Sequence, residues 1–287
     1  MITARTIEQT RSALRGPRSA GRTIAFVPTM GFLHEGHLSL IRVARQHGAD
    51  FVVVSIFVNP LQFGPQEDFE RYPRDEGRDR KLLEGQGTDL LFLPAVDEIY
   101  PAGAATTVTV SGVAEPLEGE RRPGHFSGVA TVVLKLFNIV QPDVAVFGRK
   151  DAQQCSVIDR VVRDLDIPVR LVFGDTVREH DGLAMSSRNS YLSPDERKLA
   201  PVLHKALRAG EDAIRHGIAQ VDAVEKLMHR MASGVDIDYL VVVDPETFHP
   251  PADFHRDLLL AGAVRIGKTR LIDNVLVPKS IIPHAHV

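Results

Sequence analysis

Two histidines three residues apart, His34 and His37, are the side chains of this sequence that most clearly indicate chemistry. They lie in the last four residues of the segment Pro-Thr-Met-Gly-Phe-Leu-His-Glu-Gly-His, which directly follows an apolar run at residues 23–27. The first turn of a helix offers unpaired main-chain N–H groups and the positive end of the helix dipole, and both attract anions. Two adjacent imidazoles add side-chain donors that can follow a phosphate through a reaction. The pair therefore indicates chemistry on a nucleotide phosphate.

A strand, a tight turn and a helix are predicted to position this pair. The apolar run at residues 23–27 is typical of a strand, and apolar residues then recur at helical spacing over residues 37–46, before a stop at Gly48. We expect both imidazoles in the first helical turn and on one face. Two other interpretations stay open. The histidines could be merely solvated, or they could share a zinc ion, although HEGH is one residue short of the HExxH zinc helix.

Strand and helix signals continue to alternate along the first part of the chain. Further strands are predicted at residues 51–58, 90–93, 144–147 and 169–173, and helices at 128–140 and 152–165. The run 51–58 is almost entirely apolar, which is typical of a strand covered on both faces of a parallel sheet. This rhythm predicts an α/β fold with a doubly wound parallel sheet, whose ligands bind at the carboxyl ends of the strands.

The rhythm changes near residue 177. Helices are predicted at residues 194–216 and 221–231, and antiparallel strands at 237–243, 257–263 and 270–277. We therefore predict one domain over residues 1–176 and a smaller α+β C-terminal domain over residues 177–287. The polar segment 178–190 is expected to border a cleft.

A second strand-to-helix turn, at Gly148, carries chemically useful residues. Gly148 lets the main chain approach a ligand closely. Lys150 can neutralise phosphate charge, and Gln154 offers an amide donor and acceptor one turn after Asp151. The alternative is an ordinary surface turn with a capping aspartate.

Two further segments could contact a nucleotide or its partner. Ser186, Ser187 and Arg188 follow Met185 and would form a compact triphosphate clamp, unless they lie in a solvated loop with a helix cap. Gln62 follows the strand at 51–58, so it is expected near the ligand crevice. The segment 64–78 is rich in glycine, proline and charge, and could be a mobile lid or an ordinary surface loop.

Composition excludes several classes of protein. With 287 residues, a net charge of −3 and a pI near 6.5, the chain has no global basic field for nucleic acid or anionic lipid. No run approaches membrane-spanning length, and a secretory leader pattern is lacking. Cys155 is the single cysteine, which suits a reducing, cytoplasmic setting. We expect its side chain to be a small, buried hydrophobic group. The terminal residues 283–287, with two histidines, are expected to be a frayed end and not a metal site.

Taken together, five segments resemble one family, the pantothenate synthetases or pantoate–β-alanine ligases. The segments are PTMGFLHEGH at residues 28–37, NPLQF at 59–63, RPGHFSGV at 122–129, GRKDAQQ at 148–154 and DGLAMSSR at 181–188. HEGH is similar to the HIGH-type signature of the nucleotidyltransferase superfamily, and MSSR resembles its KMSKS-type loop. Arg149 departs from the family, which usually has glutamate at this position.

The resemblance implies an ATP-dependent ligase that works in two steps. Pantoate would attack the α-phosphate of ATP to give pantoyl adenylate and pyrophosphate, and β-alanine would then give pantothenate and AMP. ATP would act as its Mg²⁺ complex, and no tightly bound cofactor or protein-held metal is expected. The resemblance also implies a Rossmann-type N-terminal domain that binds nucleotide and pantoate, a C-terminal lid domain, and a homodimer.

Site residues follow from the matching motifs. The implied catalytic residues are His34, His37, Lys150, Ser186, Ser187 and Arg188, with His37 as proton donor. The implied ATP-binding residues are Met30, Gly31, Phe32, Leu33, His34, Glu35, Gly36, His37, Gly148, Arg149, Lys150, Asp151, Val177, Met185, Ser186, Ser187 and Arg188. Gln62 and Gln154 are expected to bind pantoate and β-alanine by hydrogen bonds.

Three other functions are open to test. A nucleotidylyltransferase would stop at a nucleotide-linked product and would give no reason for Gln62 and Gln154 together. A nucleotide-binding sensor without turnover would be expected to lack the histidines or the lysine. A zinc hydrolase would purify with stoichiometric metal.

Overall fold

The computed structural model describes residues 1–282, so the prediction about residues 283–287 lies outside the described residues. The chain divides into two compact units. The first comprises Met1–Arg149 and Gln154–Asp175, and the second comprises Lys150–Gln153 and the chain from Thr176 onward. The short piece Lys150–Gln153 thus packs with the second unit. The assignment of residues 1–176 and 177–287 to separate functional domains stays a prediction.

The first unit is built on a six-stranded parallel sheet. Its strands are β1 (Ile2–Ala4), β2 (Ile24–Thr29), β3 (Phe51–Ile56), β4 (Leu90–Phe92), β5 (Val144–Gly148) and β6 (Arg170–Gly174). The accompanying helices are α1 (Ile7–Ser19), α2 (Glu35–Gln46), α3 (Glu76–Gly85), α4 (Val96–Ile99), α5 (Glu118–Arg121), α6 (His125–Val140) and α7 (Ala152–Asp164). The predicted doubly wound parallel sheet is confirmed.

The strand order is β1-β4-β3-β2-β5-β6. Strands β3 and β4 are added on one side of β2, and β5 and β6 on the other, so the order reverses between β2 and β5. These two strands pair only at Ala25 with Val144 and at Phe26 with Ala145. Both continue further, β2 to Thr29 and β5 to Gly148. In folds of this type, ligands bind in the crevice at the carboxyl ends of the strands where the order reverses.

Helices cover both faces of the sheet. Phe26 and Val53 face a core shared with α1, α6 and α7, and Val27 and Val54 face a core shared with α2 and α3. All four side chains are fully buried. Burial of each such side chain contributes about 2 kcal/mol. The central strands are therefore firmly fixed, and so are the turns that follow them.

The second unit contains an antiparallel three-stranded sheet with helices packed against it. Its strands are β7 (Asp236–Val243), β8 (Leu258–Ile266) and β9 (Thr269–Val277), in the order β7-β8-β9. Its helices are α8 (Pro194–Leu199), α9 (Val202–Arg215) and α10 (Val221–Met231). Leu207 of α9 and Met228 of α10 share a core with Leu260 of β8. The predicted small α+β part is confirmed.

Three local predictions were wrong or incomplete. The helix predicted over residues 194–216 is two helices, because Pro201, which stands between them, cannot donate the main-chain hydrogen bond that a continuous helix needs. Helix α3 begins at Glu76, inside the segment 64–78 predicted as a loop. The elements β1 and α1 were not predicted. None of the helices within residues 1–282 is both long and apolar enough to cross a bilayer.

Candidate active site

The turn after β2 is held by a carboxylate from helix α3. Gly31 adopts φ +85, and a Cβ at this position would lie 2.8 Å from Cγ2 of Ile56, so only glycine fits. Asp79 accepts hydrogen bonds from the main-chain N–H of Phe32 at 2.7 Å and of Leu33 at 2.8 Å. Burial raises the pKa of Asp79, although these two donors and the charge of the neighbouring arginine favour the carboxylate. Asp79 thus fixes the path into α2.

This anchoring limits how the turn can bind an anion. The N–H groups of Phe32 and Leu33 are engaged by Asp79, so their main chain has no donor to spare for a phosphate. Glu35 forms an ion pair with Arg42 along the helix. The segment from Met30 to His37, predicted to bind ATP, is thus a turn followed by the start of α2. Its side-chain hydrogen-bond donors are the two imidazoles.

The imidazoles cap helix α2. His34 has the extended backbone angles of an N-cap, φ −138 and ψ 175, so the prediction that it lies within the first helical turn was wrong. Nδ1 of His34 accepts from the N–H of Gly36 at 3.1 Å, and Nδ1 of His37 accepts from the N–H of His34 at 3.3 Å. The two rings lie side by side, with centroids 4.1 Å apart.

These two hydrogen bonds define the tautomers of the rings. A neutral imidazole carries one proton, and Nδ1 must be unprotonated in order to accept an N–H. The proton of neutral His34 and of neutral His37 therefore stands on Nε2. On each neutral ring the Nε2–H group is therefore the hydrogen-bond donor.

The side chain of Gln62 is oriented by Asn59. In the short helical turn Pro60–Gln62, Oε1 of Gln62 accepts from Nδ2 of Asn59 at 3.1 Å. Its Nε2 lies 3.2 Å from Sδ of Met30, in the turn after β2. Asn59 is fixed in turn by the Tyr100 hydroxyl at 2.8 Å. The structure therefore brings two predicted site residues, Gln62 and Met30, into contact, with the Gln62 amide aimed as a donor.

The main chain of Gln62 is held from α6. Its carbonyl accepts from Nδ1 of His125 at 2.8 Å and from Arg122 at 3.3 Å. His125 is buried, and burial, followed by the charge of Arg122, lowers its pKa to about 4. His125 is thus neutral at pH 7. Its Nε2 accepts from Arg122 at 3.0 Å.

Arg122 also ties down the segment 64–78. Its guanidinium donates to both carboxylate oxygens of Glu67, at 2.6 and 2.8 Å. Burial would raise the pKa of Glu67, but the hydrogen bonds and charge of Arg122 lower it below its usual value. Phe63 contacts the rings of Phe69 and Tyr72 edge to face. This segment therefore has defined packing, and its closure over a ligand stays a prediction.

The end of β5 carries further predicted residues of the first unit. Gly148 accepts from Sγ of Cys155 at 3.3 Å, and this cysteine is buried as predicted. The Arg149 guanidinium lies 5.7 Å from the ring centroid of Phe173 and 3.8 Å from Asp175 on the next strand end. Gln154 lies on the first turn of α7, half-buried.

The second unit holds the other predicted residues. Lys150 and Asp151 lie in the short helical turn before α7, with Nζ of Lys150 3.8 Å from the Asp151 carboxylate. Val177 accepts from the main-chain N–H of Met185 at 3.0 Å, so these two predicted residues are adjacent.

Ser186, Ser187 and Arg188 begin a single helical turn. Ser186 is its N-cap, and its hydroxyl accepts from the main-chain N–H of Arg188 at 3.3 Å. Ser187 is buried, and its carbonyl accepts from the Ser190 hydroxyl at 2.7 Å. The structure therefore shows the helix cap of the alternative interpretation, and the triphosphate clamp stays a prediction.

Comparison with known proteins gives the family. The family model for pantoate-beta-alanine ligase matches residues 2–276. The chain belongs to the pantoate–β-alanine ligase family. Pantothenate synthetase from Moorella thermoacetica is 54% identical over 275 residues, which covers 95% of this chain and 97% of that protein. The resemblance seen in the five sequence motifs is confirmed.

Solved structures of the family agree. Pantothenate synthetase from Thermus thermophilus superposes with a TM-score of 0.92 at 49% identity, covering 99% of this chain and 100% of that one. Pantoate-beta-alanine ligase from Francisella tularensis, described as complexed with beta-gamma ATP and beta-alanine, has a TM-score of 0.81 at 36% identity, covering 96% and 97% of the two chains. This protein is accordingly a carbon–nitrogen ligase of that family.

Four residues with structural roles at the site were given none by sequence reasoning. Arg122 and His125 lie in the motif RPGHFSGV, and Asn59 lies in the motif NPLQF. These two family motifs were the sequence signal for them, but no role was assigned to the three residues. Asp79 had no local signal, because its partners Phe32 and Leu33 are 47 and 46 residues away in the sequence.

Proposed function

We propose that this ligase joins pantoate to β-alanine through a pantoyl-adenylate intermediate. A carboxylate oxygen of pantoate attacks the α-phosphorus of ATP, and the bond from that phosphorus to the bridging oxygen breaks, releasing pyrophosphate. The amine of β-alanine then attacks the acyl carbon. The bond between that carbon and the AMP oxygen breaks, the nitrogen loses a proton, and pantothenate and AMP are released.

The observation that carries this proposal is the state of the two imidazoles after β2. Nδ1 of each ring accepts a main-chain N–H, so the hydrogen-bond donor of each neutral ring is Nε2–H. Two anions must meet in the first step, and negative charge grows on the phosphoryl oxygens as pyrophosphate leaves. Donors that are already fixed before the reaction stabilise this charge without reorganising. We assign this role to His37, with His34 beside it.

The other predicted residues receive roles by charge and hydrogen bonding. Lys150 and Arg188 neutralise the triphosphate and the departing pyrophosphate, and the hydroxyls of Ser186 and Ser187 donate to them. Gln62 binds pantoate through the amide that Asn59 orients, and Gln154 supplies the second amide. The remaining residues of the nucleotide site are Met30, Gly31, Phe32, Leu33, Glu35, Gly36, Gly148, Arg149, Asp151, Val177 and Met185.

The wider setting is also proposed from the family. The Francisella tularensis relative, described with ATP and β-alanine, supports these two molecules as substrates here. ATP would enter as its Mg²⁺ complex, with the ion as part of the substrate. A homodimer, a C-terminal domain that acts as a lid and a cytoplasmic setting complete the proposal.

Product analysis tests the proposed function. The protein is incubated with ATP, Mg²⁺ and pantoate, with and without β-alanine, and pyrophosphate, AMP and the amide are measured. We expect AMP and the amide to form catalytically only when β-alanine is present. A nucleotidylyltransferase would instead accumulate a nucleotide-linked product, with AMP formation independent of the amine.

A further inference from the structure

Strand β9 carries a buried carboxylate that binds an arginine with two hydrogen bonds. The oxygens of Asp273 lie 2.6 and 2.9 Å from Nη1 and Nη2 of Arg178, and the Asp273 side chain is only 4% exposed. Nη1 of Arg178 also donates to the carbonyl of Gly182 at 3.0 Å, and its Nη2 to that of Asn274 at 3.3 Å. The guanidinium is therefore locked in one orientation.

Arg178 in turn fixes the loop that carries the serine pair. It forms a β-bridge with Ala184, which closes a hairpin around Gly182. Gly182 has φ +95, and a Cβ there would lie 2.5 Å from Cδ2 of His204, so only glycine lets the hairpin pack against that ring. Met185 follows the hairpin directly and pairs with Val177. The position of the hairpin therefore determines where the main chain of the next three residues, Ser-Ser-Arg, begins.

The neighbouring residue of the same strand holds Lys150. Nδ2 of Asn274 donates to the main-chain carbonyl of Lys150 at 2.8 Å. The N–H of Asn274 donates to Asp273 at 2.8 Å, which links the two contacts. Strand β9 pairs with β8 along its whole length, from Val277 to Thr269, so both side chains project from a rigid base.

An ion pair between a buried carboxylate and a half-buried arginine is a poor means of stabilising a sheet. Desolvation of the two charges offsets most of their attraction, and an apolar pair of similar volume is often as stable or more stable. Asp273 remains charged at neutral pH: burial would raise its pKa, but contacts with His204 and Arg178 lower it below its usual value. The ion pair does fix the hairpin around Gly182 at one place on β9. An apolar pair could not supply this directional contact.

We propose that Asp273 and Asn274 are a positioning pair, which sets Lys150 and the Ser186–Arg188 turn in register on one strand. Neither residue is assigned a contact with substrate, and both act through the residues they hold. The kinetic part of this inference rests on the proposed function, whereas its structural part does not.

The kinetic test removes the side-chain donor of Asn274 by substitution with leucine. The control variant makes the opposite substitution, leucine to asparagine, elsewhere on β9. Leu276 is 41% exposed, so Leu276→Asn is the matched control for Asn274→Leu. We expect Asn274→Leu to lower the kcat of pantoate-dependent pyrophosphate release about tenfold, as for one lost hydrogen bond. The KM for pantoate should stay close to that of the control, and the melting temperature should fall by no more than about 2–4 °C.

A double-mutant cycle separates positioning from a general structural effect. If Asn274 acts through Lys150, Asn274→Leu should lower kcat no further in a Lys150→Met background. An equal loss in both backgrounds would overturn the assignment. Single-turnover assays with labelled ATP give the sensitivity that the Lys150→Met background needs.

Hydrogen–deuterium exchange without any substrate tests the structural part. Relative to Leu276→Asn, we expect faster exchange in peptides covering residues 149–153 for Asn274→Leu, and in peptides covering residues 178–189 for Asp273→Asn. If exchange is faster in these variants but the wild-type protein is inactive as a ligase, the proposed function is refuted. The structural role of the positioning pair would still be supported. Unchanged exchange and kcat in variants of an active protein would refute the pair alone.

Discussion

Nδ1 of His37 accepts the main-chain N–H of His34, with 3.3 Å between the two nitrogens. This contact caps helix α2 and at the same time leaves the proton of the neutral His37 ring on Nε2. His37 therefore has a structural role at Nδ1, and the catalytic role proposed for it would use the other nitrogen, Nε2.

Substitution by asparagine or glutamine separates these roles. In His37→Asn, the side-chain oxygen can replace Nδ1 as the cap acceptor, but nothing replaces the Nε2–H donor. We expect kcat for pyrophosphate release to fall at least about a hundredfold, as for loss of one preorganised donor. Stability should change by less than about 1 kcal/mol. His37→Gln, which can place an amide N–H near the position of Nε2, should retain more activity, and wild-type rates in both variants would refute the role.

Asp79 is predicted to control activity from outside the substrate site. Its two oxygens accept the N–H groups of Phe32 and Leu33. Asp79→Asn leaves one acceptor and turns an NH₂ group toward the other N–H, which should cost about 1–3 kcal/mol in the free energy of unfolding. The kcat should fall as the turn before the histidines loosens. Urea unfolding and initial rates measure both effects.

The control for this substitution is Asp212→Asn, an exposed position on α9. It removes the same charge without touching the turn. If Asp79→Asn were as stable and as active as Asp212→Asn, the anchoring role would be wrong.

Gln62 is predicted to recognise the carboxylate substrate. Asn59 donates to the Gln62 oxygen, which orients the amide nitrogen as the donor. This nitrogen carries two N–H groups, so it can donate to an anion as well as contact Met30. Gln62→Glu replaces this donor with a negative charge, so we expect the KM for pantoate to rise at least about tenfold. The KM for ATP should change much less. Gln66→Glu, the same exchange at an exposed position, is the control, and a similar KM for pantoate in both variants would contradict the assignment.

His125 predicts how stability depends on pH. Its pKa is lowered from 6.5 to about 4, chiefly by burial, so between these values the unfolded chain binds a proton that the folded protein does not. The folded protein is therefore most stable, as far as this group is concerned, above pH 6.5, and it loses stability as the pH falls from 6.5 to 4. At 1.36 kcal/mol per pKa unit the loss amounts to about 3 kcal/mol.

His125→Asn should flatten this dependence. Its amide can still donate to the Gln62 carbonyl, but it does not titrate. Urea unfolding at several pH values between 7 and 4 gives the slope for each protein. Equal slopes in the variant and the wild type would show that another group controls the acid response.

Sequence patterns predicted most of the fold, because the central strands are apolar on both faces and the helices end at clear stop signals. The strand predicted at 51–58 is Phe51–Ile56, and the helix predicted at 221–231 is Val221–Met231. Predictions failed where a short element has little apolar periodicity, as in Ile2–Ala4, or where a proline divides a continuous pattern, as at Pro201.

Sequence motifs proposed site residues only where those residues are close together in the sequence, and their roles stay predictions. The imidazoles, the Lys150 turn and the serine pair each lie within a short motif. The support they receive does not, since Asp79 and Asn274 reach their partners across 46 to 124 residues. Such contacts are created by strand order, which no local pattern encodes.

The central claim is that a carboxylate oxygen of pantoate attacks the α-phosphorus of ATP. Pantoate labelled with ¹⁸O in both carboxylate oxygens tests it directly, with mass spectrometry of the products after reaction with unlabelled ATP and β-alanine. We predict one labelled oxygen in the phosphate of AMP and the other in the amide carbonyl. Unlabelled AMP, or ADP together with labelled inorganic phosphate, would contradict the claim.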